Sequence, residues 1–421
     1  MTTEKFLDRW ERCIFGTVCF SIFLIGVGGL ETSVSGLSMS AWSVSRTALG
    51  FWIILKLALW KRRGRLIINR SAMFRFAPLS IFFVIVTFSL PPDFRSTGDY
   101  RYLVFAVGHA LMVADVFAQG DRQRWLLRIM AVAPLVLVLR GFADAPEVFN
   151  FSLTYRFDDP LDHANSAGYL LAMTSPLCLA VAVVESGWRR WLAAFSCLMQ
   201  LFALFLTYSR GAWLGWIAAM FLLGVAARQW KYLIIAMVLA GACVVTLPAM
   251  RQRVASVMEP RNDPALSDRM RLARDAFQLG LDYPFLGVGY GRGRLKEALK
   301  NRYQGTPSEG SPVWHTHNVY IELFAETGLL GLGAFIGLIL STLWRVLASA
   351  AARASSQRLV GFAIASSWTA AAVAGLGDIP FYHHEPRIFF FSLFALAYLY
   401  CQETDTMIPL KNPENASTSS A

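Results

Sequence analysis

The sequence predicts an all-α, polytopic membrane protein with about 12 transmembrane helices and one large, partly helical loop on the outer side of the membrane. Of its 421 residues, 55% are hydrophobic and only 16% are charged, and the mean hydropathy is +0.45. A soluble domain cannot bury so much apolar surface, so the bilayer must act as its solvent. The alternation of apolar and polar residues that a membrane barrel requires is absent, which leaves helices as the spanning elements.

Hydrophobic segments of about 20 residues, each long enough to cross the hydrocarbon core, recur along the chain. We expect about nine spans in residues 1–250 and about three in residues 315–402, separated by a large outer loop at 251–314. Residues 403–421 are small and polar, and we expect a disordered tail there. The approximate centres of the predicted spans are Leu24, Trp52, Phe83, Val107, Pro134, Met173, Leu201, Met220, Met237, Leu330, Ala370 and Phe394.

Basic residues set the expected orientation. Clusters such as Lys61-Arg-Arg-Gly-Arg65 and Arg189-Arg190 fall in short loops on the side of the N-terminus. Cytoplasmic loops carry this excess of Lys and Arg, so both termini are expected in the cytoplasm. The net charge of +11 is therefore partly a topology signal, and nucleic acid is not an expected partner. The six cysteines lie in or beside apolar spans without CxxC pairs, which is typical of small buried hydrophobes.

The outer loop contains a clear helix signature. Asp263-Pro264 combines an N-cap acid with a proline at the first helical position. Arg269 lies on the flank of the apolar stripe that follows, where a guanidinium either snorkels towards water or meets an anion in a cleft. The stripe has helical spacing and consists of Leu266, Met270, Ala273 and Phe277.

Two polar clusters stand at the outer ends of predicted spans. Arg210 closes one span, where a guanidinium either binds a phosphate bidentately or anchors the helix at the interface. His315-Thr-His317-Asn318 opens the span after the long loop, and an imidazole there can take a proton from a hydroxyl near neutral pH. A structural role for these histidines is one alternative. A metal site at the His-x-His pair is another, although the sequence shows no obvious cysteine or close carboxylate partner.

Further candidates lie in two other outer loops. Asp378 stands at a membrane boundary and needs a partner, for which Arg210 or Arg387 would serve, unless it is simply a solvated loop acid. Arg140 and Arg156 belong to an intermediate loop that either lines a sugar or phosphate site or is merely solvated. All these groups converge on one predicted side of the membrane, and boundary charges are expensive and tend to be functional.

At these residues the chain resembles the O-antigen ligase and polymerase superfamily of bacterial envelopes. The resemblance rests on the order and spacing of several short motifs and on the hydropathy plan of nearly the whole chain. The motifs are Leu206-Thr-Tyr-Ser-Arg-Gly-Ala212, Asp268-Arg269 leading to Tyr283-Pro284-Phe285, His317-Asn318 with Glu322 to Gly331, and Gly377-Asp378.

The resemblance implies a fold, a location and a reaction. The long loop would be periplasmic, in the inner membrane, and the enzyme would move O-antigen from undecaprenyl pyrophosphate onto lipid A-core by inverting glycosyl transfer, without metal or cofactor. Arg210 and Arg269 would bind the pyrophosphate and His317 would act as general base. Asn318 and Asp378 would orient this group, His315 would be the reserve base, and Arg140, Arg156 and Arg387 are weaker candidates for phosphate or sugar contacts.

Two alternatives stay open at this point. An O-antigen polymerase would use the same lipid-linked donor and differ only in its acceptor. A transporter of anionic lipids would also place arginines in a cavity, but it should carry charges at mid-membrane depth and internal repeats. The clusters at the outer face and the single asymmetric loop favour the enzyme, and membrane lipids are its expected surroundings.

Overall fold

The computed structural model describes residues 3–27, 30–34, 37–39, 41–63, 70–90, 97–118, 121–158, 160–161, 163–228, 230–246, 248–258, 264–302, 315–379 and 382–402. The predicted tail at 403–421 and the predicted N-cap Asp263 lie outside these residues. The predicted all-α class is confirmed, apart from one short antiparallel hairpin near the N-terminus.

The described elements follow one another in chain order as α1 (Thr3–Val27), β1 (Leu30–Val34), β2 (Leu37–Met39), α2 (Ala41–Arg63), α3 (Arg70–Phe88), α4 (Thr97–Val116), α5 (Arg122–Val132), α6 (Pro134–Asp144), α7 (Ala164–Val184), α8 (Trp188–Leu206), α9 (Arg210–Ala226), α10 (Trp230–Thr246), α11 (Pro248–Met258), α12 (Pro264–Asp282), α13 (Arg292–Arg302), α14 (Val319–Ala351), α15 (Ser355–Ala374) and α16 (His384–Gln402). The helix expected from the Asp-Pro signature therefore begins at Pro264. The interval predicted as the outer loop contains most of α11 and the whole of α12 and α13.

Four segments in the described part of the chain are long and apolar enough to cross a membrane. They are α5 together with α6, α7, α8 and α14. The helices Phe76–Phe88 and Arg210–Ala226 are apolar but shorter. Membrane-helix character is thus confirmed. Each predicted span centre falls inside a helix, while the count of about 12 spans stays a prediction.

Helices α7, α9 and α15 form the centre of the molecule, and small residues bring them together. A Cβ at Gly215 of α9 would lie 2.6 Å from the carbonyl oxygen of Ala370 on α15. A Cβ at Gly168 of α7 would lie 2.9 Å from Ala212 on α9. Such close backbone approach is how helices associate in a membrane, where apolar burial alone gives little driving force. This packing fixes the outer ends of the three helices relative to one another.

Helix α14 is broken at Gly328, where φ is 64°. The loop after α12 docks into the break: Leu329 N donates to Pro284 O at 2.7 Å, and Val288 N donates to Ala325 O at 2.9 Å. Gly287, with φ 67°, faces the break from the loop side. A Cβ at Gly287 would lie 2.3 Å from the backbone of Glu326, so only glycine allows this approach.

The buried face of α12 differs from the apolar stripe seen in the sequence. Leu272, Ala276 and Leu279 are buried and pack with Ala325 of α14. Met270 and Phe277, from the predicted stripe, are instead largely exposed. The helix is therefore apolar on two faces, one against α14 and one open.

Candidate active site

A cavity of about 250 Å³ opens between the N-termini of α9 and α14, helices α11 and α12, and the loop after α15. Arginine, histidine and asparagine side chains line it, together with backbone from two glycines. Its lining residues are Asn165, Ser209, Arg210, Gly211, Arg253, Arg269, Met270, Ala273, Thr316, His317, Asn318, Leu376 and Gly377.

The turn between α8 and α9 places Arg210 at the cavity wall. Tyr208 takes a left-handed conformation with φ 49°, and Ser209 is extended before α9 starts at Arg210. Arg156 holds this turn from behind, because its Nε donates to Thr207 O at 2.8 Å. Arg210 therefore occupies a helix N-terminus, where the helix dipole adds to the attraction for an anion.

His317 lies in a tight loop that two neighbours fix. Its φ is 50°, in the left-handed region that non-glycine residues rarely adopt. The preceding Thr316 donates its backbone N–H to Glu322 Oε2 at 2.7 Å, and Glu322 itself is fully buried. Asn318 caps α14 by accepting from Tyr320 N and Ile321 N. Strain of this kind costs free energy and persists only where the surroundings impose it, as they often do at active sites.

Asp378 provides the partner of His317. Its side chain is 1% exposed, and its Oδ1 lies 3.1 Å from His317 Nδ1 and accepts from Ile379 N at 2.9 Å. A carboxylate can only accept, so Nδ1 carries the hydrogen and Nε2 is the nitrogen left to take a proton. Burial opposes ionisation, but the hydrogen bond and charge of His317 outweigh it and hold the pKa of Asp378 below its usual range.

Asn165, at the start of α7, connects Asp378 to the arginines. Its Nδ2 donates to Asp378 Oδ2, and its Oδ1 accepts from Arg156 Nη2 at 3.1 Å. The resulting chain of contacts runs from the α8–α9 turn through Arg156, Asn165 and Asp378 to His317. Three segments far apart in sequence are thereby held in one arrangement.

The cavity has a strongly positive electrostatic environment. Arg210, Arg253 and Arg269 all line it. Burial, followed by the charges of Arg253 and Arg269, lowers the pKa of Arg156 to about 10. Guanidinium groups this close destabilise one another's charged form, and an anion that binds between them removes this destabilisation.

Three further histidines surround this centre. The ring of His315 lies edge-on to His317 at a centroid distance of 4.2 Å, and His163 stacks on His383 at 4.6 Å. Burial, reinforced by the charge of His317, lowers the pKa of His315 to about 3. Burial also lowers the pKa of His383, to about 4, and that of His163. Burial thus favours the neutral form of these three imidazoles.

Several residues expected from the sequence take other positions. Arg140 pairs with Asp144 one helical turn away, at 3.0 Å, and does not line the cavity. Arg387 is buried beside Tyr102, with 5.3 Å between its guanidinium carbon and the ring centroid. The partners found for Asp378 are His317 and Asn165, in place of the arginine that we expected. Asn318 lines the cavity, but its side-chain oxygen is occupied by the helix cap.

Arg253 and Asn165 line the cavity, and Glu322 holds the loop that carries His317. Arg253 was not among the site residues expected from the sequence; its Nε donates to Tyr208 O at 3.0 Å, which ties α11 to the turn before Arg210. The sequence grouped the His-Ala-Asn run at 163–165 with Arg140 and Arg156 in the loop considered for a sugar or phosphate site, and Glu322 belongs to a motif of the resemblance. No local pattern shows the contacts of these residues, because the contacts depend on the packing of distant helices.

One group of side chains has the donor set of a metal site. The ligand atoms of His315, His317 and Asp378 lie within 4.8 Å of one another. In the sequence, the lack of a nearby carboxylate argued against a metal at the His-x-His pair. That argument was wrong, because the fold brings the carboxylate of Asp378 to the pair. Two imidazoles and a carboxylate are a donor set that suits Zn²⁺. The geometry therefore permits two chemistries here, a histidine base or a bound cation.

Comparison with known proteins is consistent with the membrane character and the site. Residues 193–336 match a family model described as O-antigen ligase. The matched segment contains Arg210, Arg269 and His317 and ends before Asp378. No curated protein matches the chain significantly. Residues 193–336, about a third of the chain, are therefore similar to the O-antigen ligase family, which supports the resemblance seen in the sequence.

Proposed function

We propose that this protein is an O-antigen ligase, which transfers a glycan from undecaprenyl pyrophosphate to a hydroxyl of lipid A-core. The observation that carries this proposal is one cavity lined by three arginines and by a histidine that a buried carboxylate orients. A diphosphate leaving group needs several cationic donors, and a hydroxyl acceptor needs a base. Both requirements are met within a single cavity.

The chemistry assigned to the site is a single inverting displacement. The acceptor hydroxyl oxygen attacks the anomeric carbon of the donor sugar while His317 Nε2 takes its proton. The bond between the anomeric carbon and the pyrophosphate oxygen breaks, and the electron pair stays on undecaprenyl pyrophosphate. Asp378 holds His317 in the required tautomer and stabilises the imidazolium that forms.

The arginines stabilise the departing diphosphate. Its negative charge grows as the glycosidic bond breaks, so guanidinium groups fixed before the reaction favour the transition state over the bound donor. Arg210 and Arg269, with Arg253 as a third ligand, are the groups that we assign to it. Loss of one such donor typically raises a barrier by about 3 kcal/mol.

The proposed setting is the inner membrane of a bacterium. About 12 spans, with both termini in the cytoplasm, would put the cavity, α12 and α13 on the periplasmic side. Lipid-linked donor and lipid A-core would both reach the cavity from the outer leaflet. This arrangement is supported by the basic loops at the predicted cytoplasmic side and by the position of Asn165, Arg210 and His317 at the opposite ends of α7, α9 and α14.

An O-antigen polymerase is the alternative within the same superfamily. It would use the same donor and the same base, with a second lipid-linked glycan as the acceptor. Both enzymes need one acceptor hydroxyl beside His317, so the acceptor is to be determined by experiment.

The test is a transfer assay with purified full-length protein, undecaprenyl-pyrophosphate-linked glycan and lipid A-core. Glycan appearing on lipid A-core supports the ligase, whereas longer glycan on undecaprenyl pyrophosphate would make the protein a polymerase. His317→Ala should lower the rate by roughly 10²- to 10⁴-fold, the range for a lost general base, while donor binding is retained. Unchanged transfer by this variant would exclude His317 as the base.

The same assay in EDTA decides between the two chemistries at His315, His317 and Asp378. Metal-independent transfer predicts full activity with the chelator. Loss of activity in EDTA that Zn²⁺ restores would overturn the histidine-base mechanism and assign the three side chains to a metal.

A further inference from the structure

The open apolar face of α12 begins at the cavity. Met270 and Ala273 line the cavity beside Arg269. Along the same face, Phe277 and Leu281 follow at helical spacing and are 46% and 51% exposed. From Met270 to Leu281 this stripe is about 16 Å long, at 1.5 Å per residue. Large exposed apolar residues in a row mark a surface that something else covers.

Helix α12 and the loop after it are fixed against a candidate membrane span. Gly280 packs so closely on Phe324 of α14 that an added Cβ would lie 2.5 Å from its ring. The loop after α12 reaches Gly328, nine residues into α14, or about 14 Å along a helix that is long and apolar enough to span the membrane. The break in α14 provides the backbone partners that this irregular loop needs.

The loop continues the stripe into the surface of α14. Phe285 and Leu286 are 67% and 41% exposed, and they follow directly on the stripe of α12. Leu330 N donates to Phe285 O at 3.3 Å, which places the exposed side chains of Leu329 and Leu330 alongside. One apolar surface therefore extends from the side wall of a candidate span to the arginines of the cavity.

We propose that this surface, the α12 track, seats the polyprenyl chain of the lipid-linked donor. The track comprises Met270, Ala273, Phe277, Leu281, Phe285 and Leu286. The inference rests on the proposed function. A diphosphate bound by Arg269 and Arg210 carries the glycan on one phosphorus and the isoprenoid chain on the other, and that chain must pass from a charged cavity into hydrocarbon. The track is the apolar surface that starts at Arg269 and ends at α14, so it offers that passage without exposing the chain to water.

The proposal predicts that substitutions in the α12 track raise KM for a donor with a long isoprenoid chain more than KM for a donor with a short one. The experiment measures transfer with two donors that carry the same glycan diphosphate, one on undecaprenol and one on a short, water-soluble isoprenoid. Phe277→Ser and Leu281→Ser should each raise KM for the undecaprenyl donor by about tenfold, the factor expected for the lost burial of one large apolar side chain. KM for the short donor should stay within about twofold, because the short chain does not reach these residues.

Leu340→Ser is the matched control. Leu340 is 60% exposed on α14 but lies twelve residues beyond the break at Gly328, away from the track. Normal turnover of the short donor by each variant shows that the cavity is intact. Equal KM changes for both donors, or an effect of Leu340→Ser as large as that of Phe277→Ser, would exclude the track and indicate general contact with bulk lipid. Absence of transfer by the wild-type protein with either donor would instead refute the proposed function.

Discussion

Asp378 shows how a single buried side chain sets the properties of the whole site. It accepts from His317 Nδ1, from Asn165 Nδ2 and from its own neighbouring backbone N–H. Three donors make up for the loss of water around a carboxylate that is almost completely buried. The negative charge is thus kept beside His317 Nδ1, where the proposed mechanism uses it to stabilise the imidazolium that forms during transfer.

Asp378→Asn should separate two roles of this side chain, the orientation of His317 and the stabilisation of the imidazolium by its negative charge. The amide can still occupy the same space, but it removes the charge that stabilises the imidazolium, and its amino group clashes with one of the donors. We expect kcat to fall by about 10²-fold or more with little change in donor KM. Asp121→Asn, an exposed acid paired with Arg124, is the control. A similar kcat for Asp378→Asn and wild type would contradict the assigned role.

Arg253 gives a second prediction for a single residue. Arg253→Gln removes one of the three cationic groups at the cavity, and a charged hydrogen bond is worth about 1.5–3 kcal/mol, so kcat/KM should fall by about 10- to 100-fold. Arg251→Gln is the matched control, because Arg251 is exposed two residues away on the same helix and does not line the cavity. Steady-state kinetics with the lipid-linked donor gives kcat/KM for both variants. Equal kcat/KM values for Arg253→Gln and Arg251→Gln would exclude Arg253 from the site.

The sequence placed Arg210 and His317 at helix ends on one predicted side, and the structure brings both to one cavity. Hydropathy and topology sufficed for that, because both residues flank apolar runs. The resemblance implied that Asp378 orients the group around His317, but the sequence pattern itself could not show their direct pairing, because 61 residues separate them. For the same reason the donor set of His315, His317 and Asp378 was missed, and Arg140 was considered for a cavity that it does not line.

At the scale of elements, the break in α14 is the decisive feature. A continuous helix would leave the backbone groups of the loop after α12 without the partners that α14 now provides. With the break, Pro284 and Phe285 pair with Leu329 and Leu330. Helix α12, which carries Arg269, is thereby fixed to the helix that begins two residues after His317.

Gly287→Ala tests this docking. The new Cβ would meet the backbone of Glu326 at 2.3 Å, and alanine is also strained at φ 67°. We expect a loss of about 1–3 kcal/mol in stability, seen as a lower midpoint of thermal unfolding, together with lower activity. Gly293→Ala on α13 is the control, because a Cβ added at Gly293 would have no atom within 4 Å. It should be neutral or slightly stabilising, since alanine favours helices.

Periodicity identified most of these elements but not their interruptions. The Asp-Pro signature predicted the start of α12 at Pro264, as found. The same stripe analysis did not reveal that α12 packs through Leu272, Ala276 and Leu279, because those residues form a second apolar row between charged neighbours. Nor did it reveal the break at Gly328, since a glycine inside a hydrophobic run has no effect on hydropathy.

For the whole molecule, the buried neutral histidines predict a dependence of stability on pH. Burial lowers the pKa of His163, His315 and His383 in the folded protein. Between pH 6.5 and about 4 the unfolded chain therefore binds protons at these histidines that the folded chain does not, and their contribution to stability falls as the pH falls. The pKa of Asp378 is also lowered on folding, and its contribution to stability is lost only as the pH falls below the pKa of an unfolded aspartate.

The prediction is a thermal midpoint in detergent that decreases steadily from pH 7 to pH 4. The double variant His163→Gln/His383→Gln removes two of the three groups and lies outside the proposed proton transfer, so its midpoint should depend less steeply on pH. An unchanged slope in the double variant would mean that these histidines are protonated in the folded protein.

The distance along the chain between His317 and Asp378 has a consequence for biosynthesis. Helices α14 and α15 are both made before the carboxylate emerges, and Asn165 then meets a partner 213 residues downstream. A nascent chain released anywhere before position 378 lacks the group that sets the tautomer of the base. Under the proposed mechanism, incomplete copies would therefore lack full activity even when inserted in the membrane, and activity would appear only when translation is nearly finished.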